Sequence, residues 1–156
     1  IGTVAKVGAA LAGRDLAPGD RIASLVSLSM TPLKIERIVK IHPESGKEDQ
    51  GGGVIWRVKD ANNYYVARWN PLENNLRVYS VKEGKRTQLG SVDVKPEKRL
   101  WHRIRIDQVG TKIEASFDGK ETVKVEDSTF TEAGRIGLWT KADATSWFDD
   151  LAVVEK

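Results

Sequence analysis

Hydrophobic residues along this chain recur at every second position, not every third or fourth. Leu33 and Ile35, with Arg37 as an open third member, alternate with Lys34, Glu36 and Ile38. Ile104 and Ile106 alternate with Arg103 and Arg105, and Ile113, Ala115 and Phe117 with Lys112, Glu114 and Ser116. A period of two marks strands with one buried face and one wet face. Turn-forming residues punctuate these runs at Pro43 to Gly46, Lys59 to Asn63, Asn70 to Asn75, Glu83-Gly84, Gly110, Asp118-Gly119 and Gly134. Asp118-Gly119 is the strongest hairpin signal, because the favoured two-residue turn needs positive φ at both central positions. The pattern predicts about nine or ten strands and no helix beyond residue 20, hence an all-β, antiparallel two-sheet sandwich.

The same parity sorts side chains between faces. In Val54–Val58 it sends Val54, Trp56 and Val58 to the core, and Ile55 and Arg57 to the other side. In Tyr64–Asn70 the core set is Tyr65, Ala67 and Trp69, opposite Tyr64, Val66, Arg68 and Asn70. Leu76 and Val78 read inward, and Arg77, Tyr79 and Val81 outward. Ile136 and Leu138 read inward, leaving Gly137, Trp139 and Lys141 outside. Four strands thus each offer a face mixing aromatic rings with Arg, Asn or Lys, a composition suited to stacking on sugar rings and bonding their hydroxyls. The plainer alternative is packing. Trp56, Trp69, Trp101 and Phe148 read as aromatics of the core or of a covered sheet, whereas Trp139 is open between the two roles. Arg57 and Arg68 have the further option of lying over the sheet and pairing with carboxylates.

Composition narrows the function classes. A chain of 156 residues, 40% apolar and 30% charged, is one ordinary domain with enough material for a core. Its 25 basic and 22 acidic residues give a net charge of +3, and the basic residues are scattered, so a nucleic-acid partner is not expected. No apolar run approaches the ~20 residues of a membrane span, and Val7 to Ala12 is too short for a full signal peptide. The absence of cysteine removes disulfides, thiol catalysis and thiolate metal sites. Residues 1–20, rich in Gly and Ala, read as an N-terminal arm or edge segment, and residues 21–156 as the single sandwich domain.

The ordered segments GGGVIWRVKDANNYYVARWNPLENNLRVYSV, KRLWHRIRI, IEASFDGKETVKVEDSTF and AGRIGLWTKADATSWFDDLAV fall within about residues 44 to 154. Together they resemble the laminin-G-like domains of the concanavalin A-like lectin/glucanase superfamily, in particular bacterial exported domains related to the 3-keto-disaccharide hydrolase family. The resemblance implies a jelly-roll β-sandwich whose concave sheet serves glycans, in a periplasmic or secreted protein. It also implies a structural calcium, for which Asp149 and Asp150 are the candidate ligands. The first forty residues depart from the pattern and lack the usual acidic metal ligand. The carboxylate run E-x-D-x-x-E of the glucanase branch is absent too. Glu73, Asp143 and Asp149 remain as unmarked acid or base candidates, with Arg57 or Lys141 to stabilise charge. For Glu73 and Asp143 the structural alternative is capping of turns. Neither His42 nor His102 has ligand-like spacing, and His102 reads as a structural imidazole.

These observations lead to a non-catalytic, lectin-like carbohydrate-binding domain whose partner is a glycan or oligosaccharide. Its candidate binding residues are Arg57, Tyr64, Arg68, Asn70, Tyr79, Trp139 and Lys141. The alternatives are a glycan-active hydrolase resembling the 3-keto-disaccharide hydrolases, and a protein interaction or structural domain.

Overall fold

The structure, a computed structural model, describes Thr3–Val7 and residues 35–97 and 100–155, with side chains for residues 39–97 and 100–153. Eleven strands lie among the described residues: β1 Thr3–Val7, β2 Ile35–Ser45, β3 Gly52–Asp60, β4 Asn63–Asn70, β5 Asn75–Lys82, β6 Lys85–Asp93, β7 His102–Val109, β8 Lys112–Phe117, β9 Glu121–Glu126, β10 Arg135–Trp139 and β11 Thr145–Glu155. They form a six-stranded sheet, β1-β11-β2-β7-β8-β9, and a five-stranded sheet, β10-β3-β4-β5-β6. This is the two-sheet sandwich that the period of two predicts. Every pairing is antiparallel except that of β1, which runs parallel to β11. The rest of the 1–20 segment, and Leu33 and Lys34, lie outside the described residues.

The turns carry the expected chemistry. Asp118 and Gly119 have φ of 50° and 75°, and Lys120 N–H closes the hairpin on Phe117 O at 3.0 Å. Glu83-Gly84 repeats the solution with φ of 52° and 76° between β5 and β6. At Pro43 the structure departs from the sequence pattern, for β2 continues through it to Ser45 instead of turning. Pairing with β7 ends at Ile41↔His102, so the N–H that proline lacks is not missed on that side.

Between the sheets, Val54, Trp56, Tyr65, Ala67, Trp69, Leu76, Val78, Ile136 and Leu138 meet Val39, Ile41, Ile104, Ile106, Ile113, Ala115, Phe117 and Phe148 in one buried core. Of the three polar tips inside it, Trp69 Nε1 has no hydrogen-bond partner among the described residues, and the other two are satisfied. Trp56 Nε1–H donates to Gln108 Oε1 at 2.7 Å, and Tyr65 Oη donates to Asp127 Oδ1 while accepting Phe130 N–H at 3.0 Å. Burial, reinforced by the Asp127 contact, pushes the Tyr65 phenol up to about 12.

Three assignments change, those of Trp101, Arg57 and Val58. Trp101 is 45% exposed and not packed away, because it precedes β7 instead of lying within it. Arg57 and Val58 exchange faces. Arg57 sits at φ 49° in a β-bulge: Arg135 pairs with Val58 and Gly137 with Ile55, so two β3 residues oppose Ile136 alone. The extra residue resets the alternation. Val58 therefore joins the outer cluster with Ile55, Val66, Tyr79 and Val81. The Arg57 guanidinium turns inward, bonding Phe130 O and, at 3.4 Å, Gly110 O, and burial lowers its pKa. A Cβ on Gly134 would lie 2.5 Å from Arg57 C, so the bulge needs glycine beside it.

Candidate functional site

The outer face of the five-stranded sheet divides into an apolar half and a polar half. Strands β4 and β5 pair in register, with Tyr64↔Val81, Val66↔Tyr79, Arg68↔Arg77 and Asn70↔Asn75. Moving along this ladder carries the face from hydrocarbon at Val66 and Val81 to guanidinium and amide at Arg68, Arg77, Asn70 and Asn75. Tyr64 and Tyr79 pack with the apolar half. Tyr79 also reaches the polar half, because its hydroxyl lies 3.3 Å from Arg68 Nη2 and 3.4 Å from Arg77 Nη1.

Glu73, in the turn between β4 and β5, organises the polar half. Its Oε2 accepts Arg68 Nη2 at 2.9 Å and meets Arg77 Nη1 at 2.8 Å. Arg68 Nη1 donates to Asn75 Oδ1 at 3.1 Å, and Asn75 Nδ2 returns to Glu73 O at 3.0 Å. Partial burial alone would raise the Glu73 pKa, but the two guanidiniums and Asn75 outweigh it and hold the carboxyl below its ordinary value. Arg68 is 5% exposed at its side chain, whereas Arg77 and Glu73 keep 31% and 40%. The cluster therefore has a fixed floor and a reachable rim. The Arg86 guanidinium covers the Tyr79 ring at 4.8 Å.

Two loops extend the network. Asn70 Nδ2 donates to Asp49 Oδ1 at 2.6 Å, and Lys141 Nζ pairs with Asp49 Oδ2 at 3.0 Å. Asp49 is held there by Asp143, whose carboxylate accepts the backbone N–H groups of Lys47, Glu48 and Asp49 at 2.6, 3.1 and 3.0 Å. Those bonds, that of Lys47 foremost, keep the Asp143 carboxyl below its ordinary pKa. Trp139, half-buried, stands beside Gly53 on the adjoining strand. A Cβ at Gly53 would lie 1.8 Å from Ala67 O, so that position admits no side chain.

Of the residues singled out in the sequence, Arg68, Asn70 and Tyr79 are brought into one network, and Lys141 joins it through Asp49. Trp139 flanks the face. Tyr64 shares the face but lies four residues from Arg68, roughly 13 Å along the strand. Arg57 is not there, being inside the sandwich. Asp49, Asn75 and Arg86 complete the network without having been singled out, and Glu73 was noted only as an acid or base. Arg86 is the outer-face partner of Val81 on β6, but Asp49 lies in a loop where no periodicity points to it.

Asp149 and Asp150 lie on the other sheet. Asp149 Oδ1 accepts the Asp150 N–H at 2.9 Å, and Asp150 Oδ2 pairs with Lys40 Nζ at 2.5 Å. Among the described residues there is no group of three or more His, Cys, Asp and Glu placed to hold a metal ion. Calcium takes six to eight oxygens, and among the described residues the pair has no third carboxylate beside it. A depression of about 790 Å³ over β7, β8 and β9 is lined by charges that pair with each other, Arg105 with Asp107 and Lys124 with Glu114.

Solved structures share this architecture. The carbohydrate-binding module CBM66 of Bacillus subtilis superposes with a TM-score of 0.73 at 20% identity, covering 82% of this chain and 78% of that one. Sheep galectin-11 superposes with a TM-score of 0.60 at 7% identity, covering 83% and 94%. At these identities the likeness is one of fold, and the fold is the jelly-roll β-sandwich. A separate match concerns sequence. Residues 1–61 match the family described as the L-erythro-3,5-diaminohexanoate dehydrogenase N-terminal domain. The dehydrogenase of that name from Fusobacterium nucleatum is 52% identical over 56 residues, 35% of this chain and 16% of that protein. The chain spans about a sixth of that relative's length, and the described part of the match forms β1, β2 and β3 of the sandwich.

Proposed function

We propose that this protein is a lectin-like module that binds a glycan or oligosaccharide at the polar half of its five-stranded sheet. The observation that carries the reading is one continuous network, in which Glu73 joins Arg77, Arg68 and Asn70, and Asn70 leads on through Asp49 to Lys141, with the Trp139 ring at its flank. Sugars are recognised by planar, pre-oriented hydrogen-bonding groups beside an aromatic face, and both are present here. Likeness of fold to a carbohydrate-binding module and a galectin supports the same ligand class.

The charge state of the central carboxylate supports binding over acid-assisted turnover. Glu73 is held ionised between two guanidiniums, so it has no proton to give a leaving group near neutral pH. Asp49 is bonded to Asn70 and Lys141, which position it as an acceptor of hydroxyls. An exported setting, where extracellular glycans are met, belongs to the same reading.

A glycan-array screen followed by calorimetry tests it. Arg77→Ala and Glu73→Gln are expected to weaken binding about tenfold or more, since each removes a charged hydrogen-bonding group. Circular dichroism should remain unchanged. Absence of binding across the array, or release of free sugar from a bound glycan, would sink the proposal.

A further inference from the structure

The opposite face of the molecule holds a second arrangement of aromatic and charged groups, built from different residues. On the outer side of the six-stranded sheet, Trp147 of β11 pairs in register with His42 of β2. The next position toward β7 is Trp101, because Ile41 pairs with His102. The three rings form a row across neighbouring strands, His42 lying 5.6 Å from Trp101 and 6.2 Å from Trp147, tilted by 54° and 55°. Two residues along each strand runs a second row, Asp149↔Lys40↔Arg103. The rows are therefore separated by roughly 7 Å.

A depression of about 330 Å³ opens between them, lined by Lys40, Trp101, His102, Arg103, Asp118 and Asp149. Its polar lining is positioned in advance. Asp118 is fixed by His102 Nδ1 at 2.7 Å and by the Arg103 N–H at 2.7 Å, and Lys40 is fixed by Asp150. The Arg103 guanidinium has no partner among the described residues. Trp101 itself is 45% exposed, and an indole left in water beside a row of charges forgoes favourable burial unless something covers it.

We infer that this depression is a second carbohydrate subsite, where an oligosaccharide lies along the aromatic row with a ring stacked on Trp101. The charges decide the class of occupant. An apolar protein surface docking on Trp101 would strand Arg103, Asp118 and Asp149 without water. A sugar presents C–H groups from one face and hydroxyls from its edge, so it covers the indole while its hydroxyls meet those ions. The two subsites lie on opposite sheets, so a single molecule holds two glycan strands at once and gains from their combined attachment. This inference uses none of the residues of the Arg68 network and stands independently of it.

The test is oxidative footprinting of the native chain with and without soluble xylan, mannan, galactan and levan, read tryptophan by tryptophan by mass spectrometry. Affinity gel electrophoresis of Trp101→Ala and Trp101→Phe in the same polysaccharides accompanies it. Protection of Trp101 by at least one polysaccharide is expected. Trp101→Ala should weaken retention about tenfold, with Trp101→Phe partly restoring it. Equal oxidation of Trp101 with and without every polysaccharide overturns the inference, as does unchanged retention of Trp101→Ala. Protection confined to Trp139 overturns it as well while supporting the first site, so the two readings fail separately.

Discussion

Replacing Arg57 by alanine and by glycine separates two things the β3 bulge does. The guanidinium binds Phe130 O and Gly110 O, tying the approach to β10 and the β7–β8 turn to the five-stranded sheet. Hydrogen bonds from a charged donor contribute about 1.5–3 kcal/mol net, and the long contact to Gly110 adds little, so Arg57→Ala should lose an amount in that range. Backbone conformation then orders the two variants. At φ 49° an L-residue is strained by about 1–2 kcal/mol that glycine does not incur. Glycine instead loses about 0.5–1 kcal/mol more in chain entropy than alanine. The difference favours glycine by about 0.5–1 kcal/mol, the reverse of the order usual inside a strand. Urea unfolding followed by tryptophan fluorescence, compared at equal m, gives both numbers. Glycan retention should be unchanged in both variants, since the side chain lies across the sheet from Arg68. Alanine at least as stable as glycine, or both within about 0.5 kcal/mol of the parent, would refute the bulge and the inward guanidinium together.

Trp56→Ala should cost about 3–5 kcal/mol in the same assay, since the ring is fully buried and leaves Gln108 Oε1 unpaired, whereas half-buried Trp139→Ala should cost about 1–2 kcal/mol. Tyr65 contributes stability that is whole below its ordinary pKa of 10.0 and is lost as pH rises toward about 12, so alkaline melting curves of the parent should fall through that window and those of Tyr65→Phe should be flatter. The melting temperature should be the same in calcium and in chelator, because Asp149 and Asp150 are engaged by the Asp150 N–H and Lys40; a rise of several degrees with calcium would reverse that assignment.

Strand alternation and turn chemistry were legible because both are local. Asp118-Gly119 announces its hairpin through backbone conformations that few other residue pairs adopt, and Val54, Trp56, Leu76, Val78, Ile136 and Leu138 all fall on the core side assigned by parity. Parity fails after Trp56, because a bulge inserts one residue where Gly134, far along the chain, lies close against the Arg57 backbone. On the outer face of the five-stranded sheet Arg68, Asn70 and Tyr79 could be grouped from their strands alone. Asp49 could not, since its place is set by Asp143 and Asn70, separated from it by 94 and 21 residues. Trp101 was misassigned for a related reason: its aromatic character suggested burial, while its position one residue ahead of β7 left it outside.

The Asp143 latch also sets an order of events. The Lys47–Asp49 loop acquires its shape only when the loop between β10 and β11, 94 to 96 residues later, has closed on it. Contacts so distant in sequence form slowly and late, because the intervening chain must first be enclosed. During synthesis Asp49 and Asn70 emerge long before Lys141 and Asp143, and the far rim of the polar network stays incomplete until the connection that carries the chain from β10 to β11, in the other sheet, docks. A nascent or truncated chain would carry Arg68 and Glu73 without the Asp49–Lys141 rim, so the network is a property of the finished fold and not of its first strands.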